Sequence, residues 1–402
     1  MAKRNPNGAG SITLRKDGRY HGRAYVITTS GLRKRVSIYG KTWDEVHNAL
    51  VELQADAING IPLPDTDSNV GQYLNYWLAE EVLPNRRPKT YQGYESVVRV
   101  HLIPGLGTKR LRDLRAQEVR VWLNRVRAEC QCCKGGWDAQ RPKPICCAAG
   151  ECCKRLLSAR MIQSVHAVLR NALEHAVREE LIHKNVAKLV KVPAPDYRIG
   201  KGLTTAQAKL VLKELSGHRL HTLYVLALML GLRRGELLGL RWSSVDLERG
   251  TLTVSTNLQR VDGELRLVLP KTLSSERTLP LPAPVLAALV DHRERQAVER
   301  AAAGMDWQEN DLVFPSRIGT PYEPDNLRRS WHAVRGRLGL DDLRFHDLRH
   351  TCITLLLDLG VPPHIVREIA GHSDVGVTMK VYAHASLAER LKALSRLGEA
   401  LS

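Results

Sequence analysis

The stretch "RFHDLRHTCIT" (344–354) sets His346 and His350 four residues apart, with Arg349 between them. That spacing puts both histidines on one helix face. They could hold a metal there, or could join Arg349 in holding a phosphate. A metalloprotease with this histidine spacing carries a glutamate base between the two ligands. Here the intervening residues are Asp347, Leu348 and Arg349, and a guanidinium beside a zinc dication is electrostatically poor. Phosphate is the preferred reading. "GLRRGELLGLRW" (231–242) adds Arg233 at a helix junction, and "GHSDVGVTMKVYAH" (371–384) adds His372 and Tyr382. Lys271 ends a strand in "LPKTLSSER".

These six residues suffice for metal-free transesterification at a phosphodiester. Two arginine forks match phosphate oxygens bidentately. Placed on the non-bridging oxygens with histidine donors, they oppose the charge that gathers in a pentacoordinate transition state. A tyrosine ordinarily ionises near pH 10, and neighbouring cations help it become a nucleophile. A lysine among cations has a lowered pKa and can protonate a departing sugar oxygen. Taken singly, Arg233 reads as a surface arginine, Lys271 as a turn lysine and Tyr382 as a core tyrosine. Their order and joint context favour the chemical reading.

The elements that must position them are mainly helical, with small antiparallel sheets, an α+β chain. The region 200–402 opens with helices at 204–216 and 219–230. A three-stranded antiparallel sheet is then expected from 251–261, 264–270 and 277–281, and mostly helix follows. Residues 68–195 read as a small helical domain. Val70, Tyr73, Leu74, Trp77 and Leu78 form one stripe, helices are expected at 90–101 and 116–128, and a long amphipathic helix covers 161–177. Residues 1–60 read as three short strands and a helix that opens on a Thr42/Glu45 capping box. Leu387, Leu391, Leu394 and Leu401 line one face of a final helix.

The chain has 402 residues, 43% of them hydrophobic, and a formal net charge of +18. Such an excess predicts an anionic partner, nucleic acid before a membrane surface. Half of it lies in residues 1–41, where ten Lys and Arg face only Asp17. Arg15, Lys16, Arg19, Arg23, Arg33, Lys34 and Arg35 are the expected DNA contacts, against the bland alternative of a solvated basic surface. No apolar run is long enough for a membrane span and none follows the first basic residues, so a cytoplasmic protein is expected.

Seven of the eight cysteines fall within 130–153: Cys130, Cys132, Cys133, Cys146, Cys147, Cys152 and Cys153. Clustered thiols in a reducing compartment suit zinc better than a disulfide framework. No C-x₂-C pair is present in the usual form, since Cys132 lies inside the Cys130–Cys133 spacing, so this is not a standard finger. One structural zinc on four thiolates is the first expectation, two zincs sharing thiolates the second, and a free-thiol loop the bland alternative.

The six motifs, in this order, resemble the tyrosine recombinase family, specifically the phage-type integrases. The resemblance implies that Tyr382 forms a 3′-phosphotyrosyl bond with DNA while Arg233, Arg349 and His372 hold the phosphate. Lys271 would be the general acid, and His346 would assist proton transfer. No catalytic cofactor is implied. Residues 1–60 resemble the family's arm-binding domain and 68–195 its core-binding domain, in layout only, and together they imply a clamp around duplex DNA. The implied partners are double-stranded attachment sites, a homotetramer on synapsed DNA docked through the C-terminal tail, and excisionase or DNA-bending accessory proteins. Ten residues separate His372 from Tyr382, one more than usual, Ala370 replaces the usual leucine, and the cysteine insert is foreign to the basic family domain. Three rival readings compete with this one. A zinc-containing DNA-binding regulator gives Lys271 and Tyr382 no role. A metal-dependent transposase needs grouped acids, and Asp246, Asp341, Asp342 and Glu368 are scattered. A type IB topoisomerase shares the chemistry, but the basic N-terminal module favours site-specific integration.

Overall fold

Strand alternation builds the N-terminal sheet of the computed structural model, which describes residues 11–27, 33–58, 68–193, 202–269, 276–372 and 376. β1 (Ser11–Leu14), β2 (Tyr20–Ile27) and β3 (Arg33–Gly40) pair antiparallel in chain order. On one face Ala24 packs with Val46 and Leu50 of α1 (Trp43–Ile58). Gly22 lies on the same face. A Cβ there would come 2.5 Å from Val46 Cγ1, so only a bare strand lets the helix close. Thr42 and Glu45 make the reciprocal capping bonds: Glu45 N–H donates to Thr42 Oγ1 at 3.2 Å, and Thr42 N–H to Glu45 Oε2 at 3.4 Å.

The chain divides into two units, Met1–Asp196 and Tyr197–Ser402. In the first, Asn69 caps α2 (Val70–Tyr76), which continues through a π-helical stretch (Trp77–Val82) into α3 (Leu83–Asn85). α4 (Pro88–Val97) runs through a second π-helical stretch (Val98–Leu102) into α5 (Ile103–Leu106), a longer rod than the 90–101 helix expected. α6 (Ala116–Ala128), the short α7 (Gln131–Gly135) and α8 (Ala159–Arg178) follow. Leu74, Trp77, Leu102, Val119, Leu123, Leu169 and Leu173 are buried in one core, which is the apolar stripe pattern made solid.

The second unit begins with α9 (Thr205–Glu214), α10 (His221–Met229), buried from Thr222 to Leu228, and α11 (Arg234–Leu238). The single three-stranded sheet expected next does not form. The run 251–261 breaks at Ser255–Thr256. β4 (Val245–Asp246), β5 (Thr251–Val254) and β8 (Arg277–Pro280) make one sheet in the order β4-β5-β8, and β6 (Asn257–Val261) and β7 (Glu264–Val268) make a separate hairpin. The cause is local. Thr256 Oγ1 bonds the Gly239 carbonyl, and β6 lies so close to α11 that a Cβ on Gly235 would strike Asn257. Docking on α11 therefore draws β6 out of the sheet. α12 (Ala283–Ala303), α13 (Pro324–Arg337), α14 (Asp347–Asp358) and α15 (Pro363–Ala370) complete the described chain. The 387–401 leucine face, Lys271 and Tyr382 lie outside the described residues. Among the described residues, no helix is long and apolar enough to cross a membrane.

Candidate active site

Four of the six chemically singled-out residues converge in the second unit. The end of α10 turns at Gly231, whose φ of +61° disfavours a side chain. That turn frees the Gly231 carbonyl to accept from Arg349 Nη1 at 2.7 Å. Two residues on, Arg233 occupies the N-cap of α11, its N–H donating to Glu236 Oε2 at 2.9 Å. Its guanidinium donates to Glu236 Oε1 at 2.6 Å and to the Gly371 carbonyl at 2.7 Å. Gly371, with φ +65°, ends α15 and delivers His372; its own Cβ would lie 2.7 Å from the Arg277 guanidinium.

α14 brings the other half. His346 precedes its first turn and Arg349 and His350 lie one turn in, the two imidazoles edge to face with centroids 4.9 Å apart. The turn is held from behind. Buried Asp347 accepts from Arg344 N–H at 2.7 Å, and Thr351 Oγ1 accepts from Leu203 N–H at 2.8 Å. Arg349 is only 2% exposed. Its Nη2 is buried and has no hydrogen-bond partner among the described residues.

The electrostatics are those of an anion site. Burial, and then Arg233, push the Arg349 guanidinium down to about 9. Burial, then His350 and Arg349, push His346 down to about 4. Burial, then Arg349 and Arg233, do the same to His372. Both imidazoles are therefore neutral near pH 7, one nitrogen of each able to donate and the other to accept.

Two residues of this site escaped the sequence reading. Glu236 is buried, and although burial opposes its ionisation, Arg277 and Arg233 together hold its carboxyl below the ordinary range. Arg277 reaches it from β8 at 3.0 Å and donates from Nε to the Ile369 carbonyl at 2.9 Å. Glu236 thus orients Arg233 and, through Arg277, ties β8 to the end of α15. Glu236 was visible inside the quoted 231–242 stretch, three residues after Arg233. Arg277 carried no signal beyond its charge.

A pH dependence follows. The folded pKa values of His346 and His372 lie below the unfolded value near 6.5, so the unfolded chain binds more protons between those limits. Their contribution to stability is complete above pH 6.5 and is lost as pH falls toward 4. A bound phosphodiester favours the protonated imidazoles and raises both values. Melting temperature is expected to fall over pH 6.5 to 4, and to fall less with duplex DNA present. Thermal melts at both ends of that range check it; equal slopes with and without DNA would count against the assignment.

The other expected sites lie in the first unit. Arg15, Lys16, Arg19, Arg23 and Arg35 are exposed, while Arg33 and Lys34 take backbone register opposite Ile27 and Val26. Arg15 and Arg19 flank Asp17 at 3.6 and 3.4 Å, and Arg15 also lies over the Tyr39 ring. Exposed Arg23, Tyr25, Arg35 and Tyr39 mark the sheet face opposite α1. The seven clustered cysteines are free thiols in two sets of four, Cys130/Cys133/Cys147/Cys152 and Cys132/Cys146/Cys147/Cys153, each with its sulfurs within 4.8 Å of one another.

Residues 201–389 match the model of the phage integrase family, and residues 69–126 that of the phage integrase N-terminal SAM-like domain. An integrase of Streptomyces ambofaciens is 35% identical over 394 residues, 95% of this chain and 94% of the relative. Among solved structures, a Tn1549 transposon integrase in complex with circular intermediate DNA aligns with TM-score 0.65 at 21% identity, over 82% of this chain and 99% of that one. A lambda integrase tetramer bound to a Holliday junction aligns with TM-score 0.54 at 16% identity, over 94% and 96%. At these identities, the two structures establish a shared fold.

Proposed function

The chain belongs to the phage integrase family and is a tyrosine-type site-specific DNA recombinase, and on that premise we propose how its own residues perform the reaction. Arg233 and Arg349 take the non-bridging oxygens of the scissile phosphate, with His372 as a further donor. Tyr382 Oη attacks phosphorus, and the bond from phosphorus to the 5′-oxygen breaks. Neutral His346 receives the tyrosine proton, and Lys271 supplies one to the departing oxygen. The 3′-phosphotyrosyl ester conserves the energy of the broken bond, so attack by a 5′-hydroxyl of the partner duplex rejoins strands without a nucleotide cofactor.

The observation that carries this reading is the buried Arg349 Nη2, which has no hydrogen-bond partner among the described residues, set among Arg233 and two neutral histidines. A buried polar group without a partner is costly, and an incoming phosphate oxygen would satisfy it.

The basic, tyrosine-bearing sheet face of residues 11–40 is proposed as a second DNA contact, separate from the strand-exchange core site. The module boundaries proposed are 1–60, 68–195 and 200–402. The proposed assembly is a homotetramer on two synapsed attachment sites, helped by excisionase or DNA-bending proteins, in the cytoplasm of a bacterial host. The cysteine insert is proposed to hold structural zinc with no part in catalysis.

A nicked suicide duplex carrying the attachment site tests the reaction. The parent protein, in EDTA, is expected to trap a covalent protein–DNA adduct on a denaturing gel. Intact DNA binding with no adduct would move the reading to the regulator, and an adduct that required Mg²⁺ would point to a metal-dependent enzyme.

A further inference from the structure

Between α6 and α8 the chain has almost nothing apolar to fold around. Between Val126 and Ile162, Cys130 and Cys132 are the only buried apolar side chains, while Trp137, Ile145 and Leu156 stand exposed. Sulfur occupies the centre instead. Cys130 caps α7, which carries Cys132 and Cys133. Asp138, 1% exposed, accepts from the N–H groups of Ile145, Cys146 and Ala148 at 3.0, 2.9 and 2.9 Å, and so fixes the turn bearing Cys146 and Cys147. Gln131 N–H donates to the Arg155 carbonyl at 2.9 Å, drawing the Cys152–Cys153 segment back beside α7. Three cysteine-bearing pieces are thereby brought to one point.

We infer that this insert holds two tetrahedral zinc ions joined through the Cys147 thiolate. The inference rests on the proposal above that the cysteines bind structural zinc. It adds the number of ions, the ligands of each and the atom they share. The sulfur spacings are the first ground. Cys133–Cys152 is 3.7 Å, Cys132–Cys146 3.9 Å, Cys130–Cys147 3.8 Å and Cys147–Cys153 3.6 Å. Four sulfurs at about 2.3 Å from a central zinc form a tetrahedron with edges of about 3.8 Å. Disulfides need about 2.05 Å. An iron–sulfur cluster places cysteines on different irons and spreads many of the pairs farther apart.

Ligand number is the second ground. The sets Cys130/Cys133/Cys147/Cys152 and Cys132/Cys146/Cys147/Cys153 have Cys147 alone in common. Two tetrahedra joined at one corner require seven ligands, and the insert has seven cysteines. Two separate tetrahedra would require an eighth; Cys352 is buried in the other unit with its thiol on the Met229 carbonyl. A single tetrahedron would leave three thiols gathered at bonding-edge spacing with nothing to hold. The close pair Cys130–Cys153, at 3.8 Å, spans the two sets and flanks the shared corner. Backbone donors support the ligands as well: Cys153 N–H points to Cys147 Sγ and Lys154 N–H to Cys152 Sγ, each at 3.4 Å. A cluster of this kind would supply the folding energy that the missing apolar core does not.

The test uses the full chain reconstituted with ¹¹³Cd, a tetrahedral stand-in for zinc. Two cadmium ions per chain are expected, giving two resonances, each split by the other through the shared sulfur. Cys147→Ala is expected to lose both ions, and Cys133→Ala one. One ion per chain, or two resonances without mutual splitting, would overturn the bridged pair while leaving structural metal in place. A chain that takes up no metal would remove both proposals. The cadmium spectrum of the parent decides the question even if the variants misfold.

Discussion

Tyr382→Phe is expected to abolish the covalent DNA adduct, a loss of at least about 10⁴-fold, while changing duplex affinity less than about twofold. Phenylalanine keeps the ring and removes only the attacking oxygen. The second unit holds four tyrosines, Tyr197, Tyr224, Tyr322 and Tyr382. Tyr224 is fully buried, its hydroxyl engaged with Ser330 and pushed up to about 12 by burial. It has neither access nor a usable phenolate. Tyr322 is half-buried and packs against the same core. Tyr382 is ten residues beyond His372, which the Arg233–Gly371 bond ties to the arginine pair. Strand cleavage measured on the suicide duplex, beside a binding titration, separates the outcomes. An adduct that survives the substitution would place the nucleophile on another tyrosine.

The arginines and histidines were legible because the role proposed for them, meeting a phosphate, dictates their residue types. Arg233, His346, Arg349 and His372 read as a phosphate-handling set only from their order and joint context, since Arg233 taken singly reads as a surface arginine. Glu236 and Arg277 act on other protein groups. A carboxylate at the third position of a short helix reads as a capping residue, which it also is, and nothing local says that a strand arginine 41 residues later will share it. The sheet misreading has the same origin. Residues 251–261 have one continuous β-rich pattern, but the break at Thr256 is set by tertiary contact with α11, which overrides local preference. The cysteine segment was legible as a candidate metal site from composition. The shared corner at Cys147 was not, since sequence spacing cannot say which thiols the Asp138 turn will bring together.

Arg349→Met is expected to lower strand cleavage by about 10³-fold or more while leaving the free protein as stable as the parent, or more so. In the transition state the arginine donates where charge develops, and loss of one such donor from a water-poor site costs about 10²–10³. A fork that supplies both charge and two donors is expected at or beyond the top of that range. In the free protein the balance reverses. The guanidinium is 2% exposed, one nitrogen has no partner among the described residues, and Arg233 repels it. Replacing a poorly compensated buried ion with an apolar side chain of similar length is often neutral or stabilising. The Gly231 carbonyl loses its donor, a cost of about 1 kcal/mol, which release of the buried charge offsets. Stability is thus spent on a site organised for an anion that arrives only with DNA. Arg349→Lys sharpens the point. Lysine starts lower than arginine, so the same burial carries its ammonium toward the neutral range. Cleavage by that variant should recover as pH falls from 8 to 6.5, whereas cleavage by Arg349→Met should not. Calorimetric melts and single-turnover cleavage over that range are the measurements. A melting temperature lowered by more than about 10 °C in Arg349→Met, far beyond the few degrees that 1 kcal/mol commands, would make Arg349 a structural pillar and not a phosphate ligand.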